Sequence, residues 1–335
     1  MQALILAAGD NTRFKRENNK HNKLLHPVLG MPLIERTIKS AKRAGIYEFV
    51  IVTGYQDARI IKALGNGERL GVQIEYVYNK SWSGENGTSV YTARKKIHDD
   101  FILLMGDHLF EPDSLERLKR QKLKKDYCIL AVDKKIEEFP DANEATKVLI
   151  KDKQIVKIGK ELTTFNALDT GMFLCSPLLF SVLEKTINRK KFYLTDAMRI
   201  FAKEGRLLAF DIKESFWGDI DTHEDLRIAE ASLFEKLVKP SGEGPVSEFI
   251  NRRFSHAITR LLLASPITPN QISMLSFFVT IIASFLLASQ DWLVVAFGGI
   301  TAQLASILDG VDGEIARVKL SSSRFGAWFD TVLDR

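Results

Sequence analysis

Two apolar runs decide how this sequence divides: "ISMLSFFVTIIASFLLAS", residues 272–289, and "WLVVAFGGITAQLASIL", residues 292–308. Neither run contains a charged residue, and only "QD", residues 290–291, separates them. At 1.5 Å per residue, each run would form a helix of roughly 25–27 Å, close to the hydrocarbon thickness of a bilayer. Two such runs in succession favour a pair of transmembrane helices over the alternative, a buried hydrophobic hairpin in a water-soluble protein.

Basic residues flank the two runs on their outer sides. They are Arg252, Arg253 and Arg260 before the first run and Arg317, Lys319 and Arg324 after the second. Only Asp291 marks the turn between the runs. Because basic residues concentrate on the cytoplasmic side of membrane proteins, we expect both outer ends there. The sequence therefore predicts a multi-pass protein of the cell membrane whose N-terminal part is cytoplasmic.

A different pattern precedes the apolar runs, up to about residue 230. Short apolar segments alternate there with amphipathic patterns such as "PLIERTIKSAKRAG", residues 32–45, in which Gly45 would end a helix. The strand-like segments are "QALILA", "EFVIVTG", "QIEYVY", "FILLMG", "YCILAV", "GMFLCS" and "LLAFDI". This alternation predicts an α/β domain with a Rossmann-like, mainly parallel sheet covered on both faces, followed by all-α transmembrane helices.

The boundaries follow from composition. We predict an N-terminal domain over residues 1–230, a linker over 231–245 ending in "KPSGEGP", a juxtamembrane amphipathic helix over 246–268 and a membrane domain over 269–335. The net charge of +5, with 47 basic residues scattered among 42 acidic ones, gives no support to a nucleic-acid partner. Two isolated cysteines cannot build a disulfide framework, which fits a reducing compartment.

Four segments of the N-terminal domain suit nucleotide chemistry. They are "LILAAGDNTRF" (4–14), "KLLHPVLGMPLIERTI" (23–38), "LLMGDHLF" (103–110) and "FWGDIDTHEDL" (216–226). The first places a turn of small residues after a strand, where backbone N–H groups can approach phosphates. It matches neither the Walker A loop nor the dinucleotide-binding GxGxxG. Taken singly, each segment has a plain structural interpretation, such as a surface lysine, a turn aspartate or a helix cap.

In this order the four segments resemble the sugar-nucleotide pyrophosphorylase-type nucleotidyltransferases, over roughly residues 1–230. Two departures from the usual motif stand out, because Asn11 replaces its second glycine and "NKLL" replaces its "PKPL". Asparagine enters the left-handed backbone region more easily than most residues, so the first departure is tolerable. The second means that Lys23 is identified by its context and not by a fixed motif.

The resemblance implies a role for each matching position. Mg²⁺, with Mn²⁺ as an alternative, would be bound by Asp107 and Asp219. The nucleotide would be held by the backbone of Ala8 and Gly9, by the catalytic cations Arg13 and Lys23, and around the base by Asn86, Gly87, Thr88 and Ser89. The acceptor pocket is less legible. Its candidates, for a phosphate or for sugar-like hydroxyls, are Lys147, Asp169, Asp196 and Asp221, although Lys147 on a strand edge could equally be solvated.

A second group of acidic residues follows the apolar runs, in "LDGVDGEIARVKLSSSRFGAWFDTVLDR", residues 308–335. If helices continue there, Asp309 and Asp312 share one face at i, i+3, and Asp330 and Asp334 share another at i, i+4. A carboxylate at the bilayer centre costs about 2.5–3.5 kcal/mol on insertion scales, and less near the interface. Bound divalent cations would offset that cost, and oxygen ligands favour Mg²⁺, Mn²⁺ or Ca²⁺.

The spacing D-x2-D-G-x2-A-R-x8-G-x3-D-x3-D is complete here and resembles the CDP-alcohol phosphotransferases, membrane enzymes with six transmembrane helices. The resemblance implies that Asp309, Asp312 and Asp330 bind metal and that Asp334 is both a metal ligand and the general base. Gly313 and Arg317 would contact the CDP portion. Because the pattern ends one residue before the last, we expect an incomplete helical bundle, with further helices in a longer protein.

The two halves are chemically complementary, since a cytidylyltransferase makes the CDP-alcohols that the second enzyme consumes. Such a fusion resembles the bifunctional inositol-1-phosphate cytidylyltransferase/di-myo-inositol phosphate phosphate synthases. This implies CTP, inositol 1-phosphate and CDP-inositol as partners beside the lipid bilayer, with Mg²⁺ or Mn²⁺ at both sites. CDP-alcohol phosphotransferases are often homodimers. The alternatives are another polar alcohol phosphate for phospholipid synthesis, a membrane-anchored sugar-nucleotide synthase and a non-catalytic scaffold.

Overall fold

The computed structural model describes residues 1–10, 14, 22–136, 145–238, 251–322 and 324–333. The chain divides into two compact units. The first comprises Met1–His26 and Pro32–Ala229, and the second comprises Pro27–Met31 and Glu230–Arg335. The main division therefore lies next to residue 230, where the composition changes.

A nine-stranded sheet forms the centre of the first unit, in the order β5-β4-β1-β6-β11-β8-β12-β10-β9. Two short pairs, β2 with β3 and β7 with β13, lie outside it. The strands are β1 (Ala3–Ala7), β2 (Pro27–Val28), β3 (Met31–Pro32), β4 (Glu48–Thr53), β5 (Gln73–Tyr78), β6 (Phe101–Met105), β7 (His108–Phe110), β8 (Cys128–Asp133), β9 (Lys147–Lys151), β10 (Gln154–Gly159), β11 (Ala167–Cys175), β12 (Leu207–Asp211) and β13 (Trp217–Asp219).

All seven predicted strands are present, and the sheet is parallel from β5 through β4 and β1 to β6. Strand β12 is also parallel to β8. Strand β11 instead runs antiparallel between β6 and β8, and β9 and β10 add an antiparallel hairpin at the far edge. The antiparallel half was not foreseen, because an apolar strand segment does not reveal the direction of its neighbours.

The helices of the first unit follow the amphipathic patterns. Gly45 adopts a φ of +77° just after the first of them, so this helix ends where the sequence predicted. Buried apolar side chains of the sheet and of these helices form its core. The helices are α1 (Leu33–Arg43), α2 (Asp57–Leu64), α3 (Asn86–Thr92), α4 (Pro112–Lys119), α5 (Leu178–Asn188), α6 (Leu194–Lys203) and α7 (His223–Val238), and residues 230–238 of α7 belong to the second unit.

The second unit is helical. Its helices are α8 (Arg252–Leu262), α9 (Pro269–Leu287), α10 (Trp292–Val318) and α11 (Arg324–Leu333). Helix α7 continues through Val238, so the prediction of a linker was wrong for residues 231–238, while 239–245 lie outside the described residues. Helix α8 ends at Leu262, earlier than the predicted residue 268, because the backbone turns before the capping residue Thr268 starts α9.

Helices α9 and α10 are long and apolar enough to cross a membrane. In the most apolar 18-residue stretch of each helix, only 17% and 22%, respectively, is buried. Large apolar side chains such as Phe285 and Phe297 are 77% and 63% exposed. A core hairpin of a soluble protein would bury such residues, so lipid is the better-matched surrounding.

Candidate active sites

Lys23 lies at the centre of the first candidate site. It starts a short 3₁₀ turn whose preceding residue, Asn22, accepts a hydrogen bond from the Leu24 N–H. The Lys23 ammonium is buried and contacts Asp107 Oδ2 at 2.9 Å and Asp221 Oδ1 at 3.2 Å. The structure therefore brings together three predicted residues that are separated by up to 198 positions in sequence.

His108 completes this group, although its sequence context did not single it out. The antiparallel pairing of β7 with β13 sets His108 directly opposite Asp219. Its Nε2 lies 3.5 Å from Asp219 Oδ1 and 3.9 Å from Asp107 Oδ1. On the other side of the ring, Nδ1 lies 2.9 Å from the Thr170 carbonyl oxygen. The one available signal was the position of His108 directly after the strand-end aspartate.

The charges of this group shift one another. Burial opposes the charged form of Lys23, but three carboxylates, Asp107, Asp219 and Asp221, overcome it and raise its pKa. Burial likewise acts to raise the pKa of Asp107, yet Lys23 and His108 lower it to about 2. For Asp219 burial prevails, and its pKa rises to about 6. The site thus combines a fixed cation with one carboxylate that ionises readily and one that resists ionisation.

The donors fit a divalent cation. Asp107, His108 and Asp219 each offer one ligand atom, and these atoms lie within 4.8 Å of one another. Within the described part of the chain, the Asp219 Oδ1 atom is buried and has no hydrogen-bond partner. A buried carboxylate oxygen without a donor is unfavourable, so a bound cation would satisfy it. These residues belong to the described part of the chain, and the fit rests on them alone.

In the predicted phosphate-binding turn, Ala8 and Gly9 differ in their surroundings, and the backbone of Gly9 is accessible to a ligand. Beyond its chain neighbours, no described residue has an atom within 4 Å of a Cβ added at Gly9, which leaves space for a ligand against the backbone. The Ala8 carbonyl oxygen accepts a hydrogen bond from the Tyr55 N–H at 3.1 Å, which ties the turn to the end of β4. Arg13, together with Asn11, lies outside the described residues.

The segment expected to read the base forms the first turn of α3. Three of its side chains are engaged within the protein. Asn86 Oδ1 accepts from the Leu194 N–H, and Ser89 Oγ accepts from the Asn79 side-chain amide. Thr88 donates to the Glu85 carbonyl oxygen. Gly87 packs so closely on the backbone of Phe192 that a Cβ would come within 2.5 Å of its carbonyl oxygen. A base-binding role for this segment remains a prediction.

The four acceptor candidates have different surroundings. Asp221 is part of the Lys23 group, and Asp169 accepts from the Gly171 N–H while burial raises its pKa to about 6. Asp196 caps α6 through the Tyr193 N–H and pairs with Arg199. The Lys147 ammonium lies 5.3 Å from the centre of the Phe165 ring. The contacts of Asp196 are those of a helix cap, whereas Asp169 and Asp221 lie beside the metal-binding group.

The second candidate site lies on α10. Asp309 is exposed, whereas Asp312 is buried and accepts a hydrogen bond from the Ser273 hydroxyl of α9. Asp330 falls within α11, but its side chain and all of Asp334 lie outside the described residues. The structure therefore places two of the four predicted aspartates at one end of the apolar pair of helices.

The predicted CDP-contacting residues lie one turn apart on the same helix. A Cβ at Gly313 would come within 3.2 Å of Arg317 Nη1, so glycine lets the guanidinium lie close to the helix backbone. Arg317 Nε donates to the Leu237 carbonyl oxygen at 3.0 Å, near the end of α7. The Nε hydrogen bond orients the guanidinium, whose two terminal NH₂ groups offer further donors.

Glu314 is a further buried acid of α10, and the sequence pattern did not point to it. Its two carboxylate oxygens accept hydrogen bonds of 2.6 Å from Ser255 and Thr259 of α8. His256 Nε2 lies 3.6 Å from Oε1. The carboxylate is 4% exposed, so these hydroxyls compensate a charge that would otherwise be costly to bury.

Two family models match the two regions. The model described as "MobA-like NTP transferase domain" matches residues 3–210. The model described as "CDP-alcohol phosphatidyltransferase" matches residues 266–335. The chain therefore combines a nucleotidyltransferase domain with a CDP-alcohol phosphotransferase segment, as the motifs indicated.

Whole-chain relatives show the same combination. A "Bifunctional IPC transferase and DIPP synthase" from Aquifex aeolicus is 34% identical over 99% of this chain and 74% of its own length. A protein of the same name from Rubrobacter xylanophilus is 36% identical over 99% of this chain and 74% of its own length. The structure of an inositol-1-phosphate CTP transferase from T. maritima matches 68% of this chain and 93% of its own, with a TM-score of 0.61 and 28% identity. This chain belongs to the family of bifunctional IPC transferases and DIPP synthases.

Proposed function

We propose that this protein joins CTP and inositol 1-phosphate to form CDP-inositol and diphosphate. It then transfers the inositol phosphate group to a second inositol 1-phosphate, which gives di-myo-inositol phosphate phosphate and CMP. The observation that supports this most strongly is the presence of both candidate sites in one chain whose relatives along its whole length have both activities in their names.

In the first step, a phosphate oxygen of inositol 1-phosphate forms a bond to the α-phosphorus of CTP. The bond from that phosphorus to the β-phosphate oxygen breaks, and diphosphate leaves. Two anions must approach each other, so cationic side chains supply much of the stabilisation. Lys23 is held in place by Asp107 and Asp221, and it offers this charge together with Arg13. The open backbone at Gly9 would receive the phosphates.

In the second step, a hydroxyl of the acceptor attacks the phosphorus that bears inositol in CDP-inositol. The bond to the CMP oxygen breaks, and Asp334 takes the proton from the attacking hydroxyl. Arg317 and Gly313 would bind the CDP portion, because the guanidinium can donate to two phosphate oxygens at once. The exposed position of Asp309 beside the buried Asp312 supports a site that opens at the end of α10.

Divalent cations fit both sites. Asp107 and Asp219 would hold one in the first site, and Asp309, Asp312, Asp330 and Asp334 would hold a pair in the second. Mg²⁺, or Mn²⁺, would neutralise phosphate charge at each site. The protein would span the membrane several times, with the nucleotidyltransferase domain and these aspartates in the cytoplasm, as the flanking basic residues predict. Homodimers are frequent among CDP-alcohol phosphotransferases, and we propose the same assembly here.

Product analysis tests this function. We expect the complete protein, incubated with CTP, Mg²⁺ and inositol 1-phosphate, to yield diphosphate, CDP-inositol, CMP and the di-inositol product by mass spectrometry. CTP turnover with glycerol phosphate or choline phosphate, but not with inositol 1-phosphate, would contradict the proposal and favour phospholipid synthesis.

An Asp330→Ala variant separates the two steps. It should stop CMP release while CDP-inositol still forms, because the change leaves the first site intact. Unchanged CMP release in this variant would show that the aspartate motif is not a transferase site. The apolar helices would then act as an anchor of a sugar-nucleotide synthase.

A further inference from the structure

We propose that His108 is a direct ligand of the divalent cation at the first site and that its ring nitrogen makes this site prefer Mn²⁺ or Co²⁺ to Mg²⁺. The inference rests on the proposed function only in so far as that function places a cation between Asp107 and Asp219. No motif of the sequence assigns a role to this histidine.

The ring is held in the tautomer that metal binding requires. Nδ1 lies 2.9 Å from the Thr170 carbonyl oxygen, and a carbonyl can only accept a hydrogen bond. Nδ1 therefore bears a hydrogen, and when the ring is neutral its lone pair is on Nε2. A backbone carbonyl on the far nitrogen is the usual way in which proteins orient a ligating imidazole.

The backbone next to Thr170 is shaped around the ring. Gly171 has a φ of +73°, a conformation that glycine adopts without strain. A Cβ at this position would come within 2.4 Å of His108 Nδ1 and 2.5 Å of its Cε1. Glycine is thus needed at position 171 both for the positive φ and for the space that the His108 ring occupies.

The distances suit a shared ion and not a direct hydrogen bond. Nε2 lies 3.5 Å from Asp219 Oδ1 and 3.9 Å from Asp107 Oδ1, longer than the roughly 2.7–3.2 Å of an N–H···O bond. Two ligands that are each about 2.1 Å from one ion lie at most about 4.2 Å apart. Both pairs satisfy this limit.

The carboxylates present the matching oxygens. Asp107 binds Lys23 through Oδ2 and directs its other oxygen, Oδ1, towards His108. Asp219 Oδ1 is buried, has no hydrogen-bond partner among the described residues, and is the oxygen that lies nearest to Nε2. The lysine and the cation can therefore occupy the site together, each on its own side of Asp107.

The nitrogen donor determines the ion preference. Mg²⁺ prefers oxygen ligands and an octahedral shell, whereas affinity for nitrogen rises from Mn²⁺ to Co²⁺ along the first transition series. One imidazole beside two carboxylates therefore favours these ions over Mg²⁺. The second site has aspartate as its only predicted ligand type, so the same protein would contain one mixed site and one oxygen-only site.

Pulsed EPR of Mn²⁺ on the full chain, without nucleotide, tests the ligand directly. We expect the spin-echo modulation of a nitrogen bound to Mn²⁺, and we expect its frequencies to change when the histidines are labelled with ¹⁵N. Manganese at an oxygen-only second site would add no such signal, and an Asp309→Asn background would reduce its share of the bound ion. Bound Mn²⁺ without nitrogen modulation would overturn the proposal without the need for any ligand substitution.

A variant tests the selectivity. His108→Asn should lose the nitrogen signal and weaken Mn²⁺ binding about tenfold or more, while Mg²⁺ binding changes by less than about threefold. His98→Asn changes an exposed histidine and should alter neither value. Equal losses for both ions, with retained nitrogen modulation, would refute a ligating role for His108. If inositol 1-phosphate is not a substrate, the proposed function fails, but the nitrogen signal does not change.

Discussion

The interiors of the two units differ: the core of the first is mainly apolar, whereas buried polar side chains link the helices of the second. In the first unit, apolar side chains from the sheet and its helices fill the core, and the reactive charges gather where β6 and β13 end. In the second, the buried apolar cluster is small and centres on Ile272, Val311 and Ile315. Polar side chains link its helices instead, as in the contacts of Ser273 with Asp312 and of Ser276 with the Ala305 carbonyl oxygen.

The surrounding medium explains the contrast. In water, the removal of apolar surface from solvent drives packing, so a sheet with helices on its faces gains most from apolar volume. Between lipid chains that gain disappears, and helices associate through close packing and interhelical hydrogen bonds. The stability of the first unit should therefore depend on core volume, and that of the second on its buried polar pairs.

The largest expected effect comes from removing core volume in the first unit. Phe173 lies in β11 and is 2% exposed, so Phe173→Ala should cost about 3–5 kcal/mol through lost burial and a cavity. The heat resistance of diphosphate release from CTP measures the loss. Phe297→Ala is the matched control, because this side chain is 63% exposed on α10. Equal destabilisation by both changes would contradict the contrast between the units.

Removal of the buried cation should have the next largest effect, on rate and not on packing. Lys23→Ala takes away a charge aimed at the phosphates, and losses of about 10²–10³ in rate are typical for such groups. We expect the kcat for CDP-inositol formation to fall by this factor, while transfer from supplied CDP-inositol stays unchanged. Lys62→Ala, on the exposed face of α2, is the control. A parallel fall in both steps would show that the sites are not separable.

Loss of the buried carboxylate should weaken the second unit. Glu314→Ala leaves Ser255 and Thr259 without their acceptor, which should cost about 1.5–3 kcal/mol. Glu314→Gln keeps one acceptor oxygen and should cost less. The midpoint for heat inactivation of CMP release measures both, and CTP turnover should resist heat as before. Glu235→Ala is the control, because Glu235 is an exposed residue of α7. If Glu314→Ala lowers the midpoint for heat inactivation of CMP release no more than Glu235→Ala does, buried polar pairs do not stabilise the second unit.

The smallest effect concerns the acidity of the first site. Burial, reinforced by Asp107 and Asp221, raises the pKa of Asp219 to about 6, so ionisation of this carboxyl opposes folding. As pH rises from about 4 through 6, the metal-free protein should lose stability that Asp219→Asn retains. Thermal unfolding in a chelator measures the difference, which should vanish near pH 4. If Asp219→Asn is less stable than the unsubstituted protein at pH 7, the predicted direction of the effect is wrong. Added divalent cation should reduce the difference in stability between the two proteins.

The sequence predicted most of the strands and helices of the fold. Strand segments such as "EFVIVT" contain enough buried β-branched and aromatic residues to be recognised, and apolar length alone marked α9 and α10. The hairpin of β9 and β10 was not among the predicted strand segments, apart from the strand edge assigned to Lys147, because polar and exposed residues interrupt its apolar pattern. The direction of β11 was missed because strand pairing is a relation between distant segments.

The sites were legible only in part. Asp107 and Asp219 stood out because each lies in a segment that resembles a family motif, and Lys23 stood out by its context after the phosphate turn. His108 did not, since its position beside Asp219 comes from a strand register and from the turn at Gly171. Asp196 was predicted to accept hydrogen bonds from sugar-like hydroxyls, and this stays a prediction, but the sequence did not show that its side chain also caps α6 and pairs with Arg199. Residue type indicates which chemistry a side chain can perform, but not which neighbours it contacts in the folded protein.

The sequence by itself determined the family, the two composition regimes and the order of the catalytic motifs, because these depend on local pattern and fixed spacing. The tertiary structure decided which charges meet. Lys23 reaches carboxylates 84 and 198 positions away, and Glu314 receives hydroxyls from a helix more than fifty residues earlier. Such contacts exist only after the chain has folded, since burial and electrostatic strength depend on distance in space and not along the sequence.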